Sequence, residues 1–279
     1  MQLPQEAYSP IDLLMRLRGK SVYVFPNPGN AGDGFIMFAT NQLLQQFNIE
    51  FHSLQINDTV SEKIVLFGGG GNLVEGRYTS MAEAIRRNCP QNLCFILPHT
   101  IVGYNDIVAM THDNLEIFCR ERVTYENLLA SGVGVPEKIH LAHDMTLYLS
   151  ANELKHPFAS PGRKKIACFR EDNERLSSTA PHNNLDMSLS WNGDLWANAA
   201  LCQHSTQSLA AAIGQYEYVA TDRLHLGILS AHLGKKVLLG ANNYFKNEAV
   251  YLHSIADKFP NVTFYKDREA LSIAFDGIH

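Results

Sequence analysis

The most constraining feature of this chain is an alternation. Short runs that are apolar throughout are each followed by a stretch with apolar residues at helical spacing, and the pair recurs along the sequence. Residues 21–25 precede a helical pattern over 33–47. Residues 63–67 lead through a glycine run into a helical stretch near 79–88, and 93–97, 115–119 and 138–142 are further strand-like runs. Residues 121–131 read as a helix ended by Gly132. A strand with no polar face must be covered on both sides, which a parallel sheet flanked by helices provides. The spacing therefore predicts an α/β fold.

The pattern breaks over about 150–165, where Pro157, Pro161, Gly162 and the basic cluster Arg163-Lys164-Lys165 read as a linker. It then restarts. Residues 166–169, 216–220, 236–239 and 262–265 read as strands, and 222–233, 248–259 and 268–275 as helices. The expectation is two Rossmann-like domains, 1–155 and 156–279, with a central cleft. Ligands in such sheets bind beyond the carboxyl ends of the strands. The polar segment 176–198, with both tryptophans, is expected to be a loop over that cleft.

Composition narrows the classes. A net charge of -5 provides no overall basic field for nucleic acid. No apolar run is long enough to cross a bilayer, and the first residues carry no secretory pattern, so a soluble, cytoplasmic protein is expected. The five cysteines contain no CxxC pair, which argues against a zinc or redox motif. Cys94, Cys119 and Cys168 sit in strand-like runs and read as core.

Several segments fall at strand ends, most of them with a functional and a structural reading. Gly29-Asn30-Ala31-Gly32-Asp33 lies between a strand and a helix. It either lets backbone N–H groups approach an anion or is a turn with Asp33 as the helix cap. It matches neither a GxGxxG fingerprint nor a P-loop. Gly68-Gly69-Gly70-Gly71-Asn72 implies a close approach to the backbone, by a ligand or by another chain segment. His99 and Thr100 follow an apolar run and are expected at the same rim, as a reactive imidazole or a satisfied structural one.

In Arg120-Glu121-Arg122, Glu121 reads first as complementing a helix N-terminus with the arginines paired to it, and otherwise a rim arginine reaches an anion; His143-Asp144 reads as a loop anchor. Arg170 would face the cleft from the second half or pair with its acidic neighbours. Asp222-Arg223-Leu224-His225 is the most informative segment. Arg223 and His225 converge on one anion only if a helix begins beside them, with Thr221 or Asp222 as its cap. Tyr244 and Lys246 add donors to that rim or belong to an exposed loop.

Taken in order, these segments resemble the polysaccharide pyruvyl transferase family. The resemblance runs from Gly29 to about Tyr251 and rests on the Gly29–Asp33 turn, the Gly68–Gly71 run, Arg120-Glu121, Asp144, Arg170 with Asp172, Arg223-Leu224-His225 and Tyr244-x-Lys246. The family often has proline where this chain has His143 before Asp144, and this chain is short for the family. The resemblance implies an architecture similar to two-domain (GT-B) glycosyltransferases and a transferase taking a pyruvyl group from phosphoenolpyruvate. The acceptor would be a sugar of a surface or exopolysaccharide, lipid-linked acceptors included, and the product a ketal. It implies no metal and no cofactor beyond the donor. His225 and Arg223 would be catalytic. Gly29, Asn30, Gly32, Asp33, Gly69, Gly70, Gly71, Asn72, His99, Arg170, Leu224, Tyr244 and Lys246 would bind substrate. The alternative is a glycosyltransferase using a nucleotide sugar in the same cleft. A non-catalytic sugar-binding relative is a third reading.

Overall fold

The computed structural model describes residues 8–154, 162–176, 181 and 183–279. The chain begins with α1 (Pro10–Leu17), β1 (Ser21–Phe25), β2 (Gly29–Asn30), α2 (Ala31–Gln46), β3 (Glu50–Ser53) and β4 (Ile64–Phe67). It continues with β5 (Gly70–Val74), α3 (Ser80–Asn88), β6 (Leu93–Val102), α4 (Asn105–Ala109), β7 (Leu115–Cys119), α5 (Arg122–Ser131) and β8 (Ile139–Leu141). Then follow β9 (Arg163–Ala167), β10 (Asn192–Gly193), α6 (Ala199–Gly214), β11 (Tyr216–Thr221), α7 (Leu224–His232) and β12 (Lys236–Gly240). The last elements are α8 (Lys246–Val250), a π-helical turn (Tyr251–Ile255), α9 (Ala256–Lys258), β13 (Val262–Tyr265) and α10 (Arg268–Asp276).

The α/β expectation is met by two parallel sheets. In the first, the order β3-β1-β4-β6-β7-β8 is extended by β5, which also pairs with β6. The second runs β13-β12-β11-β9. The expected boundary at 155/156 lies outside the described residues. So do parts of the expected linker and of the loop over 176–198. All five cysteines are buried and unbridged, which extends the core reading to Cys89 and Cys202.

Several elements differ from the sequence expectation. The run at 93–97 continues as β6 to Val102, because β5 pairs with its second half, Gly70 opposite His99. Pro98 is tolerated in that strand at an irregularity of the ladder, between Ile96 and His99. His99 and Thr100 are therefore fully buried strand residues and not rim residues. Helix α6 was not expected: its buried face includes Ser205, Thr206 and Gly214, so its apolar stripe is diluted. The expected helix over 248–259 is interrupted by the π-turn. That wider turn brings Ser254 Oγ within 2.7 Å of His143 Nδ1 and stacks the His253 and His143 rings at 4.6 Å.

Helix α2 is the central element. It is buried over most of its surface and packs against both α6 and α7 of the second half. One hydrophobic core runs from Val24 and Phe35 to Ile213, Leu229 and Val237, spanning both sheets. Trp196, fully buried, lies over Gly34 of α2 and donates its indole N–H to Gly29 O at 3.1 Å. Beside it, Asn192-Gly193 pairs antiparallel with Asn30-Gly29, tying the second half to the first at the mouth of α2.

A Cβ on Gly34 would sit 2.5 Å from the Trp196 ring, which has no free space to retreat into. Gly34→Ala is expected to lose about 1–3 kcal/mol by overpacking. Urea unfolding checks this, and an unchanged midpoint would show that the ring yields freely.

Candidate active site

The carboxyl ends of both sheets open into one cleft of about 590 Å³. Its walls are Gly29 and Asn30 from β2, Asp33 from the first turn of α2, Gly71 and Asn72 from β5, and the turn from Arg77 into α3. Arg120 follows β7, Arg170 to Glu174 follow β9, His225 lies in the first turn of α7, and Lys246 opens α8. Leu189, Asn192 and Gly193 complete the rim, so part of the 176–198 segment does border the cleft. A hollow of about 660 Å³ at the other end of the first sheet, near Lys20 and Lys63, gathers no comparable set of titratable groups.

Asp144 lies under this cleft with no exposed surface. Its Oδ2 accepts from Arg120 Nη1 at 3.0 Å and faces His225 Nε2 at 3.1 Å. Its Oδ1 accepts from the Thr146 N–H at 3.1 Å and hydroxyl at 2.7 Å. Burial alone would raise its pKa, but His225, Arg120 and Thr146 together hold the carboxyl far below the usual range. Because Nε2 faces a carboxylate, the tautomer assigned from the contact puts the proton there and leaves Nδ1 as the free nitrogen. Nδ1 lies against the start of α2, where a Cβ on Gly32 would come within 3.1 Å of it. Burial lowers the imidazole pKa; Asp144 opposes this, while Arg120 and Lys246 reinforce it.

A second group surrounds Glu174. Its carboxylate accepts from Lys246 Nζ at 2.6 Å and the Tyr78 hydroxyl at 2.7 Å, and pairs with Arg170 Nη1 at 2.7 Å. Burial opposes ionisation of Glu174, yet Lys246 and Arg170 hold its pKa well below the usual range. Burial pushes Lys246 down to about 8 against the pull of Glu174. Asp33 is pushed up to about 7 by burial, although Lys246 and Arg120 favour its charged form. The cleft thus sets Asp33, pushed up to about 7, beside His225, Arg120 and Lys246.

The sequence candidates separate clearly. Asn30, not Asp33, caps α2: its side chain accepts from Gly32 N–H at 2.8 Å, and Asp33, third in the helix, is left to face the cleft. Gly68, Gly69 and Gly70 are packed against Phe25 O, Pro98 O and the Asn27 side chain, so another chain segment explains them. Gly71 is different, since a Cβ there would meet Arg120 Nη2 at 2.9 Å and Lys246 Nζ at 3.8 Å. Asn72 donates to Pro28 O at 2.6 Å and lines the cleft.

His99 lies beneath the glycine run, and both its ring nitrogens are engaged by that loop. Nε2 accepts from Asn72 N–H at 3.0 Å and Nδ1 donates to Gly68 O at 3.1 Å. Burial pushes its pKa down to about 3, so it stays neutral.

Arg223 and His225 diverge. Helix α7 begins at Leu224, Thr221 Oγ1 accepts from Arg223 N–H, and Asp222 instead accepts from Arg170 N–H. The Arg223 fork grips Asp186 at 2.9 and 2.5 Å and pairs with Asp172 at 2.7 Å. It does not line the cleft, because two carboxylates hold its planar donors first. Arg170 does line it, with its own fork held by Asp172 at 2.7 and 3.1 Å. Leu224 is core, and the Tyr244 ring lies between Arg77 and Lys246, behind the wall. Arg120 takes the rim position that is the alternative to a local ion pair, and Asp144 does more than anchor a loop. Their position just past β7 and β8 is the available signal; the Asp144–His225 contact spans 81 residues. Glu121, expected at a helix start, does cap α5 by accepting from Thr124 N–H at 2.8 Å, while Arg120 pairs with Asp144 rather than with it. Among the described residues no group of three or more His, Cys, Asp or Glu could hold a metal ion, and no helix is long and apolar enough to cross a membrane.

The raised Asp33 pKa gives a pH prediction. Its protonated form is the one the fold favours, so stability falls as pH rises from about 4 through about 7. Asp33→Asn is expected to raise stability at pH 8 by about 1–2 kcal/mol, allowing for water in the cleft, and to change it little at pH 4. Thermal unfolding at both pH values decides it, and equal shifts at both would refute the assignment.

A family model described as polysaccharide pyruvyl transferase matches residues 30–244, which include Asp33, Gly71, Arg120, Asp144 and His225. The Bacillus subtilis (strain 168) protein named "Putative pyruvyl transferase EpsO" is 27% identical over 281 residues, 85% of each chain. A crystal structure of an uncharacterized protein from Klebsiella pneumoniae (NTUH-K2044) has a TM-score of 0.81 and 35% identity. The alignment covers 92% of this chain and 97% of that one. The chain belongs to the polysaccharide pyruvyl transferase family.

Proposed function

We propose that the protein transfers the pyruvyl group of phosphoenolpyruvate to two hydroxyls of a sugar, closing a ketal and releasing phosphate. The observation that carries this reading is the His225–Asp144 pair, at 3.1 Å, opening onto a cleft that also holds Arg120, Lys246 and Asp33. In this reading each sheet belongs to its own Rossmann-like domain, 1–155 and 156–279, and the acceptor is a surface or exopolysaccharide sugar. Lipid-linked acceptors fit as well, with the enzyme in the cytoplasm at the inner face of the membrane.

The donor's phosphate and carboxylate face Arg120 and Lys246, where Gly71 leaves room. Arg170 contributes through the same wall, and Arg223 acts behind it by fixing Asp172 and Asp186. An anion beside His225 opposes the burial that lowers its pKa, so donor binding favours the imidazolium. Nδ1–H then gives its proton to the methylene carbon. The double-bond electrons form the new C–H bond, and the adjacent carbon becomes oxocarbenium-like. A sugar hydroxyl attacks that carbon and passes its proton to Asp33, whose pKa near 7 suits either direction of transfer. The carbon–oxygen bond to phosphate breaks, and a second hydroxyl closes the ketal. Asp33 hands the first hydroxyl's proton to the leaving phosphate, and the second hydroxyl's proton restores His225. Arginine and lysine supply the charge neutralisation that the leaving phosphate needs.

Thermal shift separates this reading from the nucleotide-sugar alternative. Millimolar phosphoenolpyruvate is expected to raise Tm, and UDP- or GDP-sugars are not. The reverse pattern would replace a pyruvyl donor by a glycosyl one. His225→Ala is expected to keep that donor shift while lowering kcat by about 10²–10⁴-fold; full turnover in that variant would remove His225 from the chemistry. Arg120→Met is expected to abolish the donor shift.

A further inference from the structure

The cations lining the cleft are not equivalent. Arg120 is paired with Asp144, Arg170 with Asp172 and Glu174, and Lys246 with Glu174. Arg77 alone has no carboxylate partner among the described residues. It is exposed, yet its guanidinium is fixed from two sides. Nη1 donates to Asn243 Oδ1 at 3.1 Å, and the fork lies over the Tyr244 ring, 4.7 Å from its centroid. Lys246 Nζ is 5.1 Å from the centroid of the same ring, so the two charges lie within about 10 Å of each other. Arg77 is thus a pre-oriented, charge-free-to-give fork at the outer wall, one ring away from the inner cations.

The cleft lining also carries neutral polar side chains, Thr79, Ser80, Asn173 and Asn192. Hydroxyls and amides of this kind suit a saccharide, and none of them could neutralise a charge. The cleft, at about 590 Å³, is much larger than a three-carbon donor requires and has room for a sugar beside it. Holding an arginine over an aromatic ring also lowers the ordering cost of each hydrogen bond it makes.

We infer that Arg77 is a specificity-determining residue that reads an anionic group, phosphate or carboxylate, carried by the acceptor sugar. This rests on the pyruvyl-transfer reading only in placing the donor at the inner cations. A planar fork without a carboxylate partner binds a tetrahedral phosphate or a planar carboxylate through two N–H groups. A neutral sugar leaves those donors to water. The acceptor's charge thereby fixes which end of the sugar faces outward and which hydroxyls face His225.

The test titrates wild type, Arg77→Gln and Arg77→Lys by calorimetry. The inner site is first saturated with phospholactate, an unreactive analogue of the donor. The probes are hexose 1-phosphates, hexuronic acids and methyl hexosides of the gluco, galacto and manno series. Wild type is expected to bind an anionic member of one series at least about tenfold more tightly than its methyl hexoside, the size of one charge-assisted fork. Arg77→Gln is expected to erase that preference and Arg77→Lys to keep part of it, with phospholactate affinity unchanged in both. A preference for 1-phosphates points to phosphate-linked acceptors, and one for uronic acids to carboxylated sugars. No anionic preference in any series, or a preference that survives Arg77→Gln, overturns the inference. Failure of wild type to bind phospholactate would instead count against the donor reading, so the two failures are distinct.

Discussion

A carboxylate with no solvent contact is tolerated only where its surroundings supply the donors that water would have supplied. Asp144 meets that condition with Arg120, His225 and two donors from Thr146. These come from β7's end, α7's first turn and the chain just beyond β8, so one buried charge fixes three separate elements. Arg120 is fixed further by Thr100 Oγ1, which accepts from its Nε at 2.9 Å, and the second half of β6 is drawn into the same set. Removing the carboxylate would leave a buried arginine uncompensated, and removing the arginine would do the same to the carboxylate. The site and the local fold are therefore stabilised by the same charges.

The second half is bound to this arrangement mainly through α2. That helix presents its first turn to the cleft and its body to α6 and α7, so the positions of Asp33 and His225 are set by a single rigid element. Glycine at 32 and 34 is what permits this. One lets the imidazole lie against the helix, and the other lets the indole of Trp196 do so. Behind the opposite wall, Arg223 joins Asp172 to Asp186 and so ties the chain after β9 to the segment that forms the rim.

Much of the fold was legible because fully buried parallel strands leave uninterrupted apolar runs, and the runs at 21–25, 115–119, 216–220 and 236–239 are strands as expected. What failed has specific causes. Helix α6 hides its periodicity because Ser205 and Thr206 are buried with its leucines. The extension of β6 through Pro98 and His99 was masked by a proline that the ladder accommodates at an irregularity. At the site, the rule that ligands gather past strand ends located His225, Arg170, Gly71 and Lys246 at one cleft. It could not say where long side chains would turn. Arg223 and His225 are two residues apart and point to different carboxylates, 42 positions from one another in sequence, and nothing local encodes that choice.

The two-residue ribbon between Asn30-Gly29 and Asn192-Gly193 has a consequence for how a ligand enters. It staples the rim of one sheet's loops to those of the other with main-chain hydrogen bonds, and the Trp196 indole adds another beside them. The gauge of the slot is then set by peptide geometry before any ligand arrives. Little ordering is left for binding to drive, and selection falls on the shape of what can slide in beside a fixed edge.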